Sequence, residues 1–481
     1  MSVRVRPGGA PLALAPALSS GELLARCERA VRRARGGRGE VLASITVPVA
    51  ANVDPSAVAF ASRRDGEPWF CFEQPDRDGA ALAALGCVRL IRTSGPRRFA
   101  DAAAAWRELA AGAESGVPDA PPGAGPVAVG GFAFTPEGGT ARHWQGFAAG
   151  DLVVPEVALA RRGGTVALTL AALVAPDDDP GLLAARLERR AAELRTGALP
   201  LLDPDPAGRF HVESIAPPEH YEGAVARAVE RIRAGDFEKI VLAREVAVHA
   251  PAPHDAAAVF GVLRAAFGSC FVFCAGRGDA AFVAASPELL VRREGQRAST
   301  VALAGSIRRS ADPAVDDHLG EQLLRSDKDR EEQRIVARRI ARTLRPHAVW
   351  VTAPDEPAII KVANIQHLAT PIRAQLTHPR SAIELAGLLH PTPAVGGEPH
   401  AVATPQIPAL EGIDRGWYAG PVGWTDANED GEFCVALRCA LLRGNEARLY
   451  AGVGVVRDSD PAAELAETEV KLGALLPVLS G

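Results

Sequence analysis

The sequence is short of lysine: Lys239, Lys328, Lys361 and Lys471 are the only four among 53 basic residues, and the rest are arginine. A guanidinium keeps its charge, whereas a desolvated amine can lose its proton and serve as base or nucleophile. Each lysine is therefore a candidate for work that arginine cannot do, although chance retention is an equal alternative for Lys361 in the strand-like AIIKVANI. Paired cysteines are lacking too. The seven, at 27, 71, 87, 270, 274, 434 and 439, are odd in number, scattered and without a CxxC spacing. This excludes a disulfide framework and a zinc site, and it points to a reducing cytoplasm. No apolar run reaches the roughly eighteen residues of a membrane span, and Pro11 and Pro16 interrupt the N-terminal MSVRVRPGGAPLALAPAL before it could form a signal core. Nor is there an excess of positive charge. A net charge of −5 with 47 % hydrophobic residues describes a globular chain without a nucleic-acid footprint, in which a small anionic substrate must be met by local positive groups.

The 481 residues can bury a sizeable core and read as two halves without a fixed-period repeat. Residues 1–208 alternate Ala/Arg-rich helical stretches with short strands such as VGGFAFT (129–135) and DLVVPEVALA (151–160), with a surface loop at 110–127 and a linker at 199–208. From 209 to 481 the signals sharpen. An amphipathic helix at 220–235 precedes the strand FEKIVLAREVAV (237–248), and the strands SCFVFCAG and AAFVAASPELLVRR follow. One long helix is expected over about 313–344, then strands around 349–363, a helix at 381–389 and strands near 418–424, 433–442 and 447–456. Many strands without regular βαβ alternation predict an α+β fold of large antiparallel sheets with helices packed outside.

Several constellations could carry chemistry. Pro461 after Ser459 and Asp460 starts a helix that sets Glu464, Glu467 and Lys471 on one face, either as a solvated face with an ion pair or as part of a site. Just before it, Gly452 and Gly454 interrupt a strand where a ligand could come close. Lys239 alternates with Val241 and Ala243, so it is either a solvated edge amine or, facing inward, a desolvated base. Glu288, at a strand break after Ser286 and Pro287 and flanked by leucines, is either a turn acid or a carboxyl of raised pKa suited to proton donation. Asp327, Asp329, Glu331 and Glu332 crowd the early turns of their helix, where they complement its dipole or help hold a hard cation such as Mg²⁺. Arg438, read with Ala436 and Ala440 on an apolar strand, would be costly to bury unless it grips an anion, and Tyr418 lies on a neighbouring segment.

Taken together, FEKIVLAR, ASPELL, ALAGSIRRS, SDKDREEQ, QHLATP, LHPTPAVGG, RGWYAGPVGW, ALRCA and AGVGVVRDSDPAAELAETEVKL, in this order over residues 209–480, resemble the chorismate-utilising enzymes. These are the isochorismate and salicylate synthases, anthranilate synthase component I and aminodeoxychorismate synthase component I. The N-terminal half is similar only in patches such as GGFAF. The resemblance implies Mg²⁺ on Glu332 and Glu464, with Glu467 beside them. It implies chorismate as substrate, its enolpyruvyl carboxylate held by Arg438 and Tyr418, with His367, Gly305, Gly452 and Ala394 lining the site and Lys471 at the metal end.

Within that family, Lys239 matches the lysine that activates water where anthranilate synthases carry Gln, and Ala304 stands where covalently aminating relatives have a nucleophilic lysine. LHPTPAVGG, containing Ala394, follows the isochorismate synthase pattern rather than the HPSVTASG of salicylate synthases. The expected reaction is thus the Mg²⁺-dependent isomerisation of chorismate to isochorismate, with Lys239 as base and Glu288 as acid, in a cytoplasmic monomer without a glutaminase subunit, a membrane anchor or a nucleic-acid partner. A salicylate synthase and a non-catalytic chorismate-binding protein are the alternatives. The family often has His where Gln333 stands here, and Glu331 leaves the register of the metal-binding glutamate open by one.

Overall fold

The computed structural model describes residues 9–13, 20–37, 39–113, 120–203, 206–362 and 365–481. Most of the N-terminal segment, the middle of the 110–127 loop, residues 204–205 of the linker and residues 363–364 of AIIKVANI lie outside the described residues. Among those described, no helix is long and apolar enough to cross a membrane.

Two antiparallel sheets, of twelve and ten strands, make up the frame. Both are built from the two halves of the sequence: Trp69–Gln74 pairs with Phe271–Arg277 in the larger sheet, and Val127–Phe132 with Pro421–Asp426 in the smaller. Side chains alternate along each strand, so Phe70 and Phe72 enter one apolar cluster and Trp69 and Cys71 the other. The first cluster joins the two sheets through Phe282, Phe433 and Trp417; the second packs the outer face of the larger sheet under the helices Ser20–Gly37, Pro180–Ala192 and Ala256–Ala266. This is the α+β architecture of large antiparallel sheets with helices outside that the strand content predicts.

The chain passes from one sheet to the other at breaks that the sequence pattern runs through. AAFVAASPELLVRR is two strands, Ala280–Ser286 in the larger sheet and Leu289–Glu294 in the smaller, because Pro287 has no N–H to continue the ladder. The stretch 433–442 likewise divides into Gly431–Val435 and Cys439–Arg443, so Arg438 is not on a strand: it lies in the crossing with a φ of 46°. The two crossings are tied to each other. Val435 N–H donates to the Glu288 carbonyl, Ala285 N–H donates to the Arg438 carbonyl, and the Ser286 hydroxyl donates to the Val435 carbonyl.

The single helix expected over 313–344 is also two, Pro313–Arg325 and Asp327–Leu344. Ser326 ends the first in an extended conformation and caps the second by accepting from the Asp329 N–H. A serine that offers the backbone a local partner outside the helix is favoured at such a cap, which the run of helix formers around it conceals. The C-terminal helix Pro461–Leu472 starts where Pro461 predicts, capped by Asp460. It packs on the strand Glu446–Val455, while Asp327–Leu344 packs on the strand Arg297–Arg308.

Candidate active site

The strands Lys239–His249 and Glu446–Val455 lie side by side with Val241 opposite Gly454 and Ala243 opposite Gly452. Directly opposed residues share a face, so two glycines open a trough beside Lys239. The space is used: a Cβ on Gly454 would lie 2.0 Å from Glu332 Oε1 and 2.8 Å from Lys239 Cε, and one on Gly452 would lie 2.6 Å from the Tyr418 hydroxyl. Gly305, with a φ of 71°, sits at a bulge opposite the strand Ile365–Leu376, where a side chain would press on Asp329.

Three of the four lysines meet here, each on one glutamate. Lys239 Nζ lies 2.8 Å from Glu332 Oε1, Lys328 Nζ 2.6 Å from Glu464 Oε1, and Lys471 Nζ 2.9 Å from Glu467 Oε1. The Lys239 contact is an ion pair without hydrogen-bond geometry. Lys471 also donates to the Gly452 carbonyl at 2.9 Å, and Glu467 accepts from the Ser306 hydroxyl at 2.6 Å. Burial works against charge on Lys328, but Glu464, Glu467 and Glu332 outweigh it and hold its pKa above the ordinary lysine value. The three carboxylates therefore act on one point. Burial raises the Glu464 pKa against the opposing pull of Lys328; at Glu467 burial is outweighed by Lys471, Ser306 and Lys328, and its pKa is lowered. Lys361 stands apart, paired with Asp316 and Asp317.

Glu288 and Arg438 come from the two crossings. Burial pushes the Glu288 carboxyl up to about 8, against the opposing charges of Lys239, Lys471 and Arg438. The buried Arg438 donates to His367 Nε2 at 2.6 Å, and its NH1 has no hydrogen-bond partner. His367 Nδ1 lies 3.2 Å from the Gly305 carbonyl, so the ring that fits both contacts is neutral and protonated at Nδ1. Its burial, together with the charges of Arg438 and Lys471, drives its pKa well below the ordinary value. Tyr418 is buried and stacked on Tyr450, with ring centroids 5.1 Å apart.

Most of these groups line a cavity of about 80 Å³ whose wall includes Glu288, Gly305, Glu332, His367, Ala394, Tyr418, Arg438, Gly452, Glu467 and Lys471. Lys239 and Glu464 stand outside the wall, fully buried; Lys239 contacts Glu332 of the wall, whereas Glu464 pairs with Lys328, which is also outside it. Larger hollows exist. One of about 280 Å³ holds several arginines, but Arg77, Arg292 and Arg293 there are already paired with Glu432 and Asp430, whereas Arg438 in the smaller cavity forms no ion pair with a described carboxylate and keeps NH1 free. An unpaired buried guanidinium nitrogen is costly in isolation and is stabilised by an anion.

The two adjacent glutamates face opposite ways. Glu331 is exposed and pairs with Arg334, whereas Glu332 points inward. Gln333 stays in the structure, donating to the Ala302 carbonyl and the Thr370 hydroxyl. Among the described residues, no three His, Cys, Asp or Glu side chains form a ready metal cage. The donors are nevertheless right in kind for Mg²⁺, which commonly takes one or two carboxylates with water and ligand oxygens. That Glu332, Glu464 and Glu467 together stabilise one ammonium charge is the observation that makes them fit a cation.

With this geometry in place, comparison with known proteins is decisive. The family model described as chorismate binding enzyme matches residues 27–480. The chain belongs to the chorismate-binding enzyme family. The salicylate biosynthesis isochorismate synthase of Pseudomonas aeruginosa is 38 % identical over 453 residues, covering 94 % of this chain and 93 % of that protein. The isochorismate synthase MenF of Bacillus subtilis is 34 % identical over 357 residues, covering 74 % of this chain and 75 % of that one. Among solved structures, MenF of Escherichia coli, described as a menaquinone-specific isochorismate synthase, superposes with a TM-score of 0.75 at 26 % identity, covering 95 % of this chain and 99 % of that one. The match from residue 27 onward draws the N-terminal half, which resembled the family only in patches, into the same domain model.

The structure adds to the reading of the sequence at three positions around this cavity. Gly454, where the sequence suggests that a ligand could come close, is passed over by the Glu332 carboxylate. Lys328, one of the four scarce lysines, pairs with Glu464. Ser306 carries no signal at all; its neighbour Gly305 does.

Proposed function

We propose that this enzyme is an isochorismate synthase, converting chorismate to isochorismate with Mg²⁺. The observation that carries the reading is one small cavity lined by Glu288, whose pKa is raised to about 8, by Arg438 with a free nitrogen and by Glu332, behind which the buried Lys239 stands. Protonated at neutral pH, Glu288 gives its proton to the C4 hydroxyl, which leaves as water. Lys239, which must be the neutral amine for this step, takes a proton from the incoming water as its oxygen bonds to C2 and the two ring double bonds shift. One C–O bond forms, one breaks, and no oxidant is required. Arg438 and Tyr418 hold the enolpyruvyl carboxylate, and neutral His367 keeps Arg438 aimed without adding a competing charge. Glu332 and Glu464, with Glu467 beside them, would hold Mg²⁺, which would neutralise their charge and grip the ring carboxylate. Water rather than ammonia as nucleophile fits an enzyme that needs no glutaminase. Whether the product serves menaquinone or siderophore synthesis is a question for its gene neighbours.

The test is to incubate the protein with chorismate, with and without Mg²⁺, to separate the products and to assay pyruvate independently. Reversible formation of isochorismate with little pyruvate supports the proposal. Salicylate with equimolar pyruvate would transfer it to the salicylate synthases despite Ala394, and absence of turnover would leave a chorismate-binding protein.

A further inference from the structure

The strand Lys239–His249 is paired along one side by Glu446–Val455, but its other side is covered only at the ends, by Gly397–Glu398 at Lys239 and Ile240 and by His211–Ser214 from Val246 onward. Between them, among the described residues, no strand reaches Val241–Ala243. In that gap the Gly396 carbonyl accepts from the Val241 N–H, and two side chains bond further backbone groups of Val241 and Ala243. Glu411 Oε1 accepts from the Ala243 N–H at 2.7 Å, and Arg415 NH2 donates to the Val241 carbonyl at 3.0 Å. Glu411 and Arg415 are both buried and bonded to each other, with Arg415 Nε 3.0 Å from Glu411 Oε2. Arg415 NH1 also donates to the Val395 carbonyl at 2.8 Å, next to Ala394, and its guanidinium lies over the rings of Phe134 at 4.3 Å and Tyr418 at 5.5 Å.

We infer that Glu411 and Arg415 are positioning residues for the reaction: together they replace a missing strand and lock three segments of the cavity wall, those of Val241, Val395 and Tyr418, into one register. Neither touches the cavity, and the inference rests on the isochorismate synthase reading only for the reaction that reports it. A buried ion pair contributes little net stability over an apolar pair of similar volume, so the cost of its burial makes sense where geometry is what it secures. The planar fork matters. Arg415 bonds three partners at once, the Glu411 carboxylate and the Val395 and Val241 carbonyls, which an ammonium on a flexible stem cannot reproduce.

The test compares the double replacement Glu411→Leu/Arg415→Met with Arg415→Lys and the unaltered enzyme, measuring melting temperature, kcat and KM for chorismate. The double variant is expected to melt near the unaltered protein while kcat falls about 100-fold, the scale of loss for misplacing catalytic groups by an ångström. Arg415→Lys, which keeps the charge, is expected not to restore it. Unchanged kcat in either folded variant overturns the inference. Hydrogen exchange on the unaltered protein decides independently of any variant and of the substrate. Ala243 N–H is expected to exchange as slowly as the paired amides of its strand, and fast exchange overturns the inference whatever reaction is catalysed.

Discussion

The Arg438 guanidinium donates to Nε2 of His367 at 2.6 Å, while the other ring nitrogen is turned to the Gly305 carbonyl. One end of the guanidinium is thereby aimed, and the other, NH1, is left for a ligand. Replacement by lysine keeps a positive charge but loses the fork that serves both partners. Arg438→Lys is expected to lower kcat/KM about 100-fold, chiefly through KM, as steady-state kinetics with chorismate will read. Unchanged KM would mean that the substrate carboxylate lies elsewhere.

Glu288 has its pKa raised by burial to about 8 from an ordinary 4.5. As the proton donor it must be protonated, so kcat/KM is expected to fall as pH rises through about 8. Glu288→Gln should reduce turnover below a few per cent while chorismate still binds. The same shift affects folding. A carboxyl whose pKa is raised in the folded state stabilises fully below its unfolded value, and that contribution is lost as pH rises toward 8. Urea titrations from pH 5 to 9 should therefore show the unaltered protein losing stability relative to Glu288→Gln, and parallel curves would contradict the placement.

Gly454 leaves room for the contact between Glu332 and Lys239. Since a methyl group there would lie 2.0 Å from the Glu332 oxygen, Gly454→Ala must displace one or both side chains. A fall in kcat of about 100-fold is expected, with only a modest change in melting temperature. Activity within twofold of the unaltered enzyme would show that the pair is not used.

For the cation, chelation with EDTA is expected to abolish turnover and Mg²⁺ to restore it. Glu332→Gln and Glu464→Gln should each raise the Mg²⁺ concentration for half-maximal binding by at least about 10-fold in calorimetry. Equal binding in both variants would place the cation away from these residues.

Much of the site could be read along the chain because its parts are local. The helix that begins at Pro461 sets Glu464, Glu467 and Lys471 three and four residues apart, and helical periodicity alone puts them on one face. Lysine was rare enough to be noticed, and three of the four converge on glutamates. Where the reading failed, a turn decided. The pattern of apolar residues runs unbroken through Pro287 and Arg438, yet the chain changes sheets at both, and a helical composition spans Ser326, where the helix stops.

By itself, then, the sequence determined which residue types were available, the strands and helices that carry them and the family whose motifs they follow, since propensity, periodicity and spacing are properties of a few neighbouring residues. Only the tertiary structure decided that Glu288 and Arg438 face one cavity from two linked crossings and that Lys239 lies behind Glu332. The same holds for the raised pKa of Glu288, because desolvation and the nearness of charges depend on what packs around a group from distant parts of the chain.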